Sequence, residues 1–319
     1  MNPSLDIFRA LADPTRLRIF ALLRQMELSV GELAQTLGQS QPRVSRHVKI
    51  LADAGLTARR REGSWVFLTL GGDDIVAPLV AALDAWGEGK PDPWAAADAA
   101  RLTAVRADRA AAAERYFDAH AEQWDAIRGL YVAESEVEAA MQALLGGEAI
   151  GRLVDIGTGT GRMLALFGHD ATSVLGVDRS PQMLRLARAK LAEAGLHSAD
   201  LRQGDMYALP LADGSADTVV LHQLLHFAQI PETVIAEAGR LLTPGGRLLI
   251  ADFASHEREE LRSDDAHARL GFADDQIRHW FADAGLSVEA IEELKGGELT
   301  VKLWLGRRKE QKMTQRKAA

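Results

Sequence analysis

Between residues 152 and 306, short apolar runs alternate with helical stretches, and few architectures accommodate that alternation. The runs are 152–156, 173–177, 218–221, 247–252 and 300–305, with 288–294 preceding the last. Strands separated by helices build a parallel α/β sheet covered by helices on its faces. The first run ends in a glycine-rich turn, VDIGTGTGRM (154–163), and a helix begins near Arg162. Glycine lets a backbone turn sharply and approach a ligand. The next run, LGVD, ends in Asp178, 21 residues past Gly157. A carboxylate there is placed to accept hydrogen bonds from ribose hydroxyls. A third carboxylate, Asp205, follows Gly204 and is placed to accept from an adenine amine.

Dinucleotide sites use G-x-G-x-x-G, which seats a pyrophosphate on a helix N-terminus. Here the spacing is G-x-G-x-G, and Asp155 stands two residues before the first glycine. That carboxylate opposes a pyrophosphate and suits a cation such as an amino group or a sulfonium. Acidic residues after three successive strands point to S-adenosylmethionine.

The amino-terminal part reads differently. Residues 30–37 (VGELAQTL) place Leu33, Ala34 and Leu37 on one helical face, and Gly38 ends that helix. Ser40 is an N-cap candidate, and Pro42 fits the first turn of the next helix, 41–54. This helix buries Val44, Val48 and Leu51. Its other face offers Gln41, Arg43, Ser45, Arg46 and Lys49, side chains that reach phosphates and base edges. Two strands follow, 56–61 and 65–70, joined by Glu62-Gly63-Ser64, with Arg59, Arg60 and Arg61 beside the turn. Two helices and a basic hairpin make a winged helix-turn-helix. Charge agrees: residues 1–70 hold 10 Lys and Arg against 6 Asp and Glu, whereas the remainder is acidic enough to bring the chain to −8. His47 lies next to the buried face, where packing or a phosphate contact is its expected role.

FRALADPTRLRIFALL (8–23), ELAQTLGQSQPRVSRHVKILADAGL (32–56) and RRREGSWVFLTL (59–70) resemble the ArsR-type repressors. The resemblance implies a homodimer on an inverted-repeat operator, with 73–86 as the dimerisation helix. Metal-sensing members use a thiolate pair near the segment that here reads Leu28-Ser29-Val30-Gly31-Glu32. This chain has no Cys, and 73–86 has no His, so no metal site is expected.

VDIGTGTGRM, LGVDRSPQMLRLAR (175–188), QGDMYALPLADGSADTVVLHQLLHF (203–227) and LTPGGRLLIADF (242–253) resemble the class I methyltransferases, nearest by motif to the quinone-biosynthesis and arsenite methyltransferase group. The resemblance implies a Rossmann-like α/β fold with a seven-stranded sheet whose last strand is antiparallel. It implies that Asp155, Gly157, Thr158, Gly159 and Gly161 hold the methionine moiety of S-adenosylmethionine or S-adenosylhomocysteine. Asp178 then holds the ribose, Arg179 and Met183 lie near the adenine, and Asp205 and Met206 flank it. His222 lies near the sulfonium, and Tyr116, Trp124 and Arg128 belong to a capping helix. Methyl transfer needs in-line geometry more than catalytic groups. A base serves only a poor nucleophile, and His222, His226, His256 and His267 are the candidates. Lack of Cys removes the thiolates by which arsenite methyltransferases bind arsenic.

The expected organisation is a winged helix and dimerisation domain (1–86), a linker and helix (87–109, with 87–100 linker by composition), a methyltransferase domain (110–306) and a basic tail (307–319). No run of about 18 apolar residues suggests a membrane span, and a cytoplasmic location is expected. The chain reads as a DNA-binding regulator whose methyltransferase-type domain senses S-adenosylmethionine or S-adenosylhomocysteine. A bifunctional regulator that also methylates a small molecule, and a plain methyltransferase with a vestigial winged helix, are the alternatives. The methyl acceptor is not legible.

Overall fold

A computed structural model of the protein describes residues 3–62, 65–87, 94–120, 133–295 and 298–309. The chain divides into two compact units, 1–111 and 112–319.

The first unit opens with α1 (Pro3–Leu11) and α2 (Pro14–Leu23). Asp13 caps α2 by accepting from the Arg16 amide, and Pro14 takes the first helical position, where no N–H is needed. Next come β1 (Leu28–Ser29) and α3 (Val30–Leu37), whose start is fixed by a reciprocal cap between Ser29 and Glu32. Gly38, at φ +65°, ends α3 in the left-handed conformation. Then follow α4 (Gln41–Asp53), β2 (Thr57–Glu62), β3 (Trp65–Leu70) and α5 (Asp73–Gly87). The strands form an antiparallel sheet in the order β1-β3-β2. β1 has only two residues, too short to leave a periodic signal, and pairs Leu28 with Leu68 and Ser29 with Phe67. The helix expected over 41–54 ends one residue earlier, with Ala54 as its cap. Ser40 occupies the N-cap position of α4 without a side-chain cap hydrogen bond, so the expected cap bond is not made.

Residues 95–100, read as linker, are helical and open α6 (Ala95–His120). Alanine, the strongest helix former, fills five of those six positions. Leu102 and Val105 are buried, which anchors the early turns of α6.

The second unit contains α7 (Glu134–Leu145), β4 (Gly151–Ile156), α8 (Arg162–Phe167), β5 (Ala171–Asp178), α9 (Pro181–Glu193), β6 (Asp200–Gln203) and β7 (Ala216–His222). It continues with α10 (Pro231–Leu241), β8 (Leu242–Phe253), α11 (Glu260–Asp264), α12 (Asp274–Asp283), β9 (Leu286–Leu294) and β10 (Val301–Arg308). Seven strands order as β6-β5-β4-β7-β8-β10-β9, with β10 antiparallel to both of its neighbours, as expected. Apolar side chains alternate between the sheet's two faces. Leu249 and Ala251 of β8 pack with Met141 of α7 and Leu164 of α8, whereas Leu248 and Ile250 pack with Ile235 of α10 and Phe281 of α12. Burial on both faces explains why the strands read as nearly continuous apolar runs. The chain builds outward from β4 to β5 and β6, then crosses back to β7. The carboxyl edge at β4 and β7 is therefore the switch point where ligands bind in open α/β sheets. No helix among the described residues is long and apolar enough to cross a membrane.

Candidate functional site

At that edge β4 runs into Gly157, Gly159 and Gly161, whose φ values are +71°, +52° and +82°. Side chains rarely adopt these angles, so the alternating glycines are a conformational requirement. At Gly157 a Cβ would also lie 2.5 Å from Leu224 Cδ1, so the loop after β7 packs directly on this turn. The Gly157 and Thr158 amides donate to Val177 O at 2.8 and 3.0 Å, which ties the turn to β5.

Two carboxylates bracket the turn. Asp155 is 1% exposed, and its Oδ2 accepts from the Thr158 hydroxyl at 2.6 Å. Asp178, at the end of β5, accepts from the Gly159 amide through Oδ2 and from the Ser180 amide through Oδ1, each at 2.8 Å. A carboxylate at the end of the second strand of such a sheet is of the type that accepts from ribose hydroxyls. Gly204 N donates to Asp178 O at 3.0 Å, which brings the β6 end beside the β5 end. Asp205 is exposed there, and Met206 is half-buried. Arg179 is exposed, while Met183 is buried in the first turn of α9. A buried acid, a glycine-rich turn and a second acid joined by hydrogen bonds form a cradle that fits a cationic nucleoside cofactor. Tyr116 belongs to α6, but its side chain, like Trp124 and Arg128, lies outside the described residues.

Farther along the same edge, His226 Nδ1 lies 2.8 Å from Asp252 Oδ1, and both side chains are buried. The His226 amide also donates to Asp252 Oδ2 at 3.3 Å. The rings of His226, His256 and His267 gather around Phe253, with centroid separations of 4.9, 6.2 and 5.7 Å. His222, the last residue of β7, is buried four positions before His226. Sequence reasoning proposed the four histidines but missed Asp252. Its signal was a carboxylate inside the apolar run LLIADF, at the carboxyl end of a strand.

Burial, reinforced by the charges of His226, His256 and Arg262, pushes the His267 imidazole far below its usual range. Its folded pKa is depressed, so its contribution to stability is complete above the unfolded value of about 6.5 and is lost as pH falls below it. The melting temperature of the second unit should therefore fall between pH 7 and 5. His267→Gln should flatten that fall by up to about 1.4 kcal/mol per pH unit. Calorimetry of both proteins across that range checks it, and parallel slopes would remove His267 as the cause.

In the first unit, Val44, Val48 and Leu51 of α4 are fully buried, while Gln41, Arg43, Ser45, Arg46 and Lys49 are exposed together with Ser40. Arg59 is exposed on β2. Arg60 and Arg61 belong to the same strand, but their side chains lie outside the described residues. His47 is half-buried, with Nδ1 3.7 Å from Asp13 Oδ1, which is a packing position.

Comparison with known proteins accords with both units. The family described as a helix-turn-helix domain matches residues 11–60, and the methyltransferase domain family matches 154–250. The arsenic resistance transcriptional regulator ArsR1 of Pseudomonas putida is 40% identical over 100 residues, 30% of this chain and 74% of that regulator. The chain belongs to the ArsR-type regulator family. In this ArsR-type chain the helix-turn-helix is fused to a methyltransferase-type domain. Arsenite methyltransferase of Aquipseudomonas alcaligenes is 37% identical over 126 residues, 36% of each chain. The ArsR-type chain thus spans about a third of that relative, and 55% of a phosphatidylethanolamine N-methyltransferase from Cereibacter sphaeroides. A methyltransferase of Haloferax volcanii, solved with the Trm112 activator, superposes with a TM-score of 0.51 at 23% identity, covering 61% of this chain and 98% of that structure, and so shares the fold.

Proposed function

We propose that the protein is a DNA-binding transcriptional regulator whose second unit binds S-adenosylmethionine or S-adenosylhomocysteine and so couples methyl-cycle state to transcription. The cradle of Asp155, Gly157, Thr158, Gly159, Gly161 and Asp178 carries this reading. Asp155 is suited to the cationic methionine end and Asp178 to the ribose hydroxyls. Asp205, Met206, Arg179 and Met183 supply the adenine surroundings, and His222 the sulfonium side. Tyr116, Trp124 and Arg128 are assigned to a cap over the ligand. When bound, S-adenosylmethionine supplies an electrophilic methyl group.

The exposed row Gln41, Arg43, Ser45, Arg46 and Lys49 is the proposed major-groove face, opened by Ser40, with Arg59, Arg60 and Arg61 on flanking phosphates. Leu5 and Phe8 of α1 and Trp86 of α5 are 47%, 56% and 58% exposed, apolar side chains of the kind that a homodimer would cover. A two-fold dimer calls for an inverted-repeat operator. Coupling then requires that the ligand bind two states of different DNA affinity unequally.

The test is fluorescence anisotropy of the chain on its own upstream DNA at fixed salt, with and without each ligand. A tenfold shift, about 1.4 kcal/mol of coupling, supports a sensor. Indifference to both ligands sinks it. In the same assay Arg46→Ala should weaken DNA binding about 5- to 150-fold, a cost of about 1–3 kcal/mol for a base or phosphate contact, with ligand affinity unchanged. Equal DNA affinity would remove Arg46 from the interface. The bifunctional reading is favoured by one observation, the buried His226–Asp252 pair, and that pair has a chemistry of its own.

A further inference from the structure

We infer that His226, oriented by Asp252, is a general base for methyl transfer to a phenol or enol oxygen that has a second oxygen beside it, the second oxygen being held by His267. This inference rests on the reading of the second unit as an S-adenosylmethionine site.

Four observations converge. Asp252 accepts through Oδ1, so the His226 proton sits on Nδ1 and the lone pair on Nε2. That is the logic of an imidazole held in one tautomer by a carboxylate, ready to take a proton. Asp252 receives two more hydrogen bonds, from the His226 amide and its own neighbour Phe253, at 3.3 and 2.8 Å, so the carboxylate itself is fixed.

The second observation is location. His226 belongs to the short turn Leu225–Phe227, and Leu224, just before it, packs on Gly157. The base therefore stands next to the glycine turn of the proposed cofactor cradle.

The third is backbone strain. Among the described residues, the non-glycine residues with positive φ are Gln223, at +48°, and Ala266, at +56°. One opens the turn that carries His226, and the other immediately precedes His267. Such conformations cost about 1–3 kcal/mol each and cluster where side chains are aimed for function.

The fourth is His267 itself. It is 5% exposed, its Nδ1 is buried and meets no hydrogen-bond partner among the described residues, and its ring centroid lies 4.2 Å from that of His226. A buried polar atom left unsatisfied is costly unless a ligand meets it. The two imidazoles side by side match two oxygens side by side.

Chemistry narrows the acceptor. A neutral amine attacks a methyl group without help, whereas a neutral hydroxyl needs to lose its proton. An imidazole accepts a proton from a phenol, near 10, far more readily than from an alkyl alcohol, near water's value of about 15.7. Phe227 and Phe253 flank the histidines and provide flat apolar walls for a conjugated ring. In the step, the hydroxyl oxygen attacks the methyl carbon and an O–C bond forms as the C–S bond breaks. The bonding pair stays on sulfur, neutral S-adenosylhomocysteine leaves, and the hydroxyl proton passes to His226 Nε2. His226 is the catalytic residue, and Asp252 is a positioning residue.

The test uses the full chain and 4-nitrocatechol, whose ionised form absorbs in the visible. With S-adenosylhomocysteine present at a pH where the free probe is mostly neutral, binding should produce the ionised band. His226→Gln should lose the band while S-adenosylhomocysteine affinity stays within about threefold. Asp252→Asn should reduce it, and it is the deciding variant if His226→Gln fails the affinity control. With labelled S-adenosylmethionine and catechol, label should appear on oxygen and fall at least 100-fold in His226→Gln. A wild-type chain that binds S-adenosylhomocysteine but not the probe, or binds the probe without ionising it, overturns the inference and leaves the proposed function standing. A band unchanged in both variants also overturns it. A chain that binds no S-adenosylhomocysteine overturns the proposed function and this inference together.

Discussion

Asp155→Ala and Asp178→Ala each lower S-adenosylhomocysteine affinity at least about 100-fold in isothermal titration calorimetry, while DNA affinity without ligand stays within twofold. The size follows from what each carboxylate holds. Asp178 fixes the glycine turn through the Gly159 amide and the start of α9 through the Ser180 amide, so its loss releases the loop as well as the proposed ribose contact. Hydrogen bonds to a charged group contribute about 1.5–3 kcal/mol each, and two of them span the stated factor at 1.4 kcal/mol per decade. Asp155 is buried beneath the turn and orients Thr158. Alanine there removes the buried charge proposed to offset a cationic ligand in that cradle. Asp178→Asn should be intermediate, because its amide nitrogen must face one of two backbone N–H donors. Both residues lie in the second unit and α4 lies in the first, which is why basal DNA binding is spared. Unchanged ligand affinity in both alanine variants would remove this cradle as the site.

Much of this was legible in the sequence, for physical reasons. Strands buried on both faces leave short apolar runs such as 247–252, and it is their alternation with helical stretches that marks a parallel sheet. The glycine turn was legible because left-handed backbone at Gly157, Gly159 and Gly161 restricts the residue type. The α4 helix declared itself through Val44, Val48 and Leu51 against a polar face. What could not be read were pairings set by register. Asp252 meets His226 because β7 and β8 run parallel with His222 opposite Ala251, which leaves Asp252 one residue beyond, beside the turn after β7. No local pattern encodes a partner 26 positions away. The opening of α6 was hidden for another reason. The glycines and prolines of 87–93 lent a linker composition to the alanines that follow, whose helix is anchored by contacts with distant residues.

The most consequential of those contacts is the pair Arg18–Asp98. Arg18 Nε and Nη2 donate to the two Asp98 oxygens at 2.7 and 2.6 Å, and the side chains are only 10% and 9% exposed. Trp94 covers the guanidinium with its ring centroid 4.8 Å from Cζ. From the same turn of α6, Arg101 donates to Thr36 O in the last turn of α3. The start of α6 is thus clasped to α2 and α3, directly behind the turn that leads to α4. Removing one member of a buried, bidentate pair leaves the other charge in a place it was never meant to occupy alone, at a cost of about 3–5 kcal/mol. Asp98→Ala should therefore reduce hydrogen-exchange protection of α2, α3 and residues 95–105 in the full chain at least about 100-fold. Arg18→Leu combined with Asp98→Ala should recover most of that loss, because it removes the stranded charge along with the pair. A change below about threefold in Asp98→Ala would place the pair with solvent-screened surface ion pairs. A double variant no better than Asp98→Ala alone would instead assign the stability to the hydrogen bonds of Asp98 rather than to charge compensation.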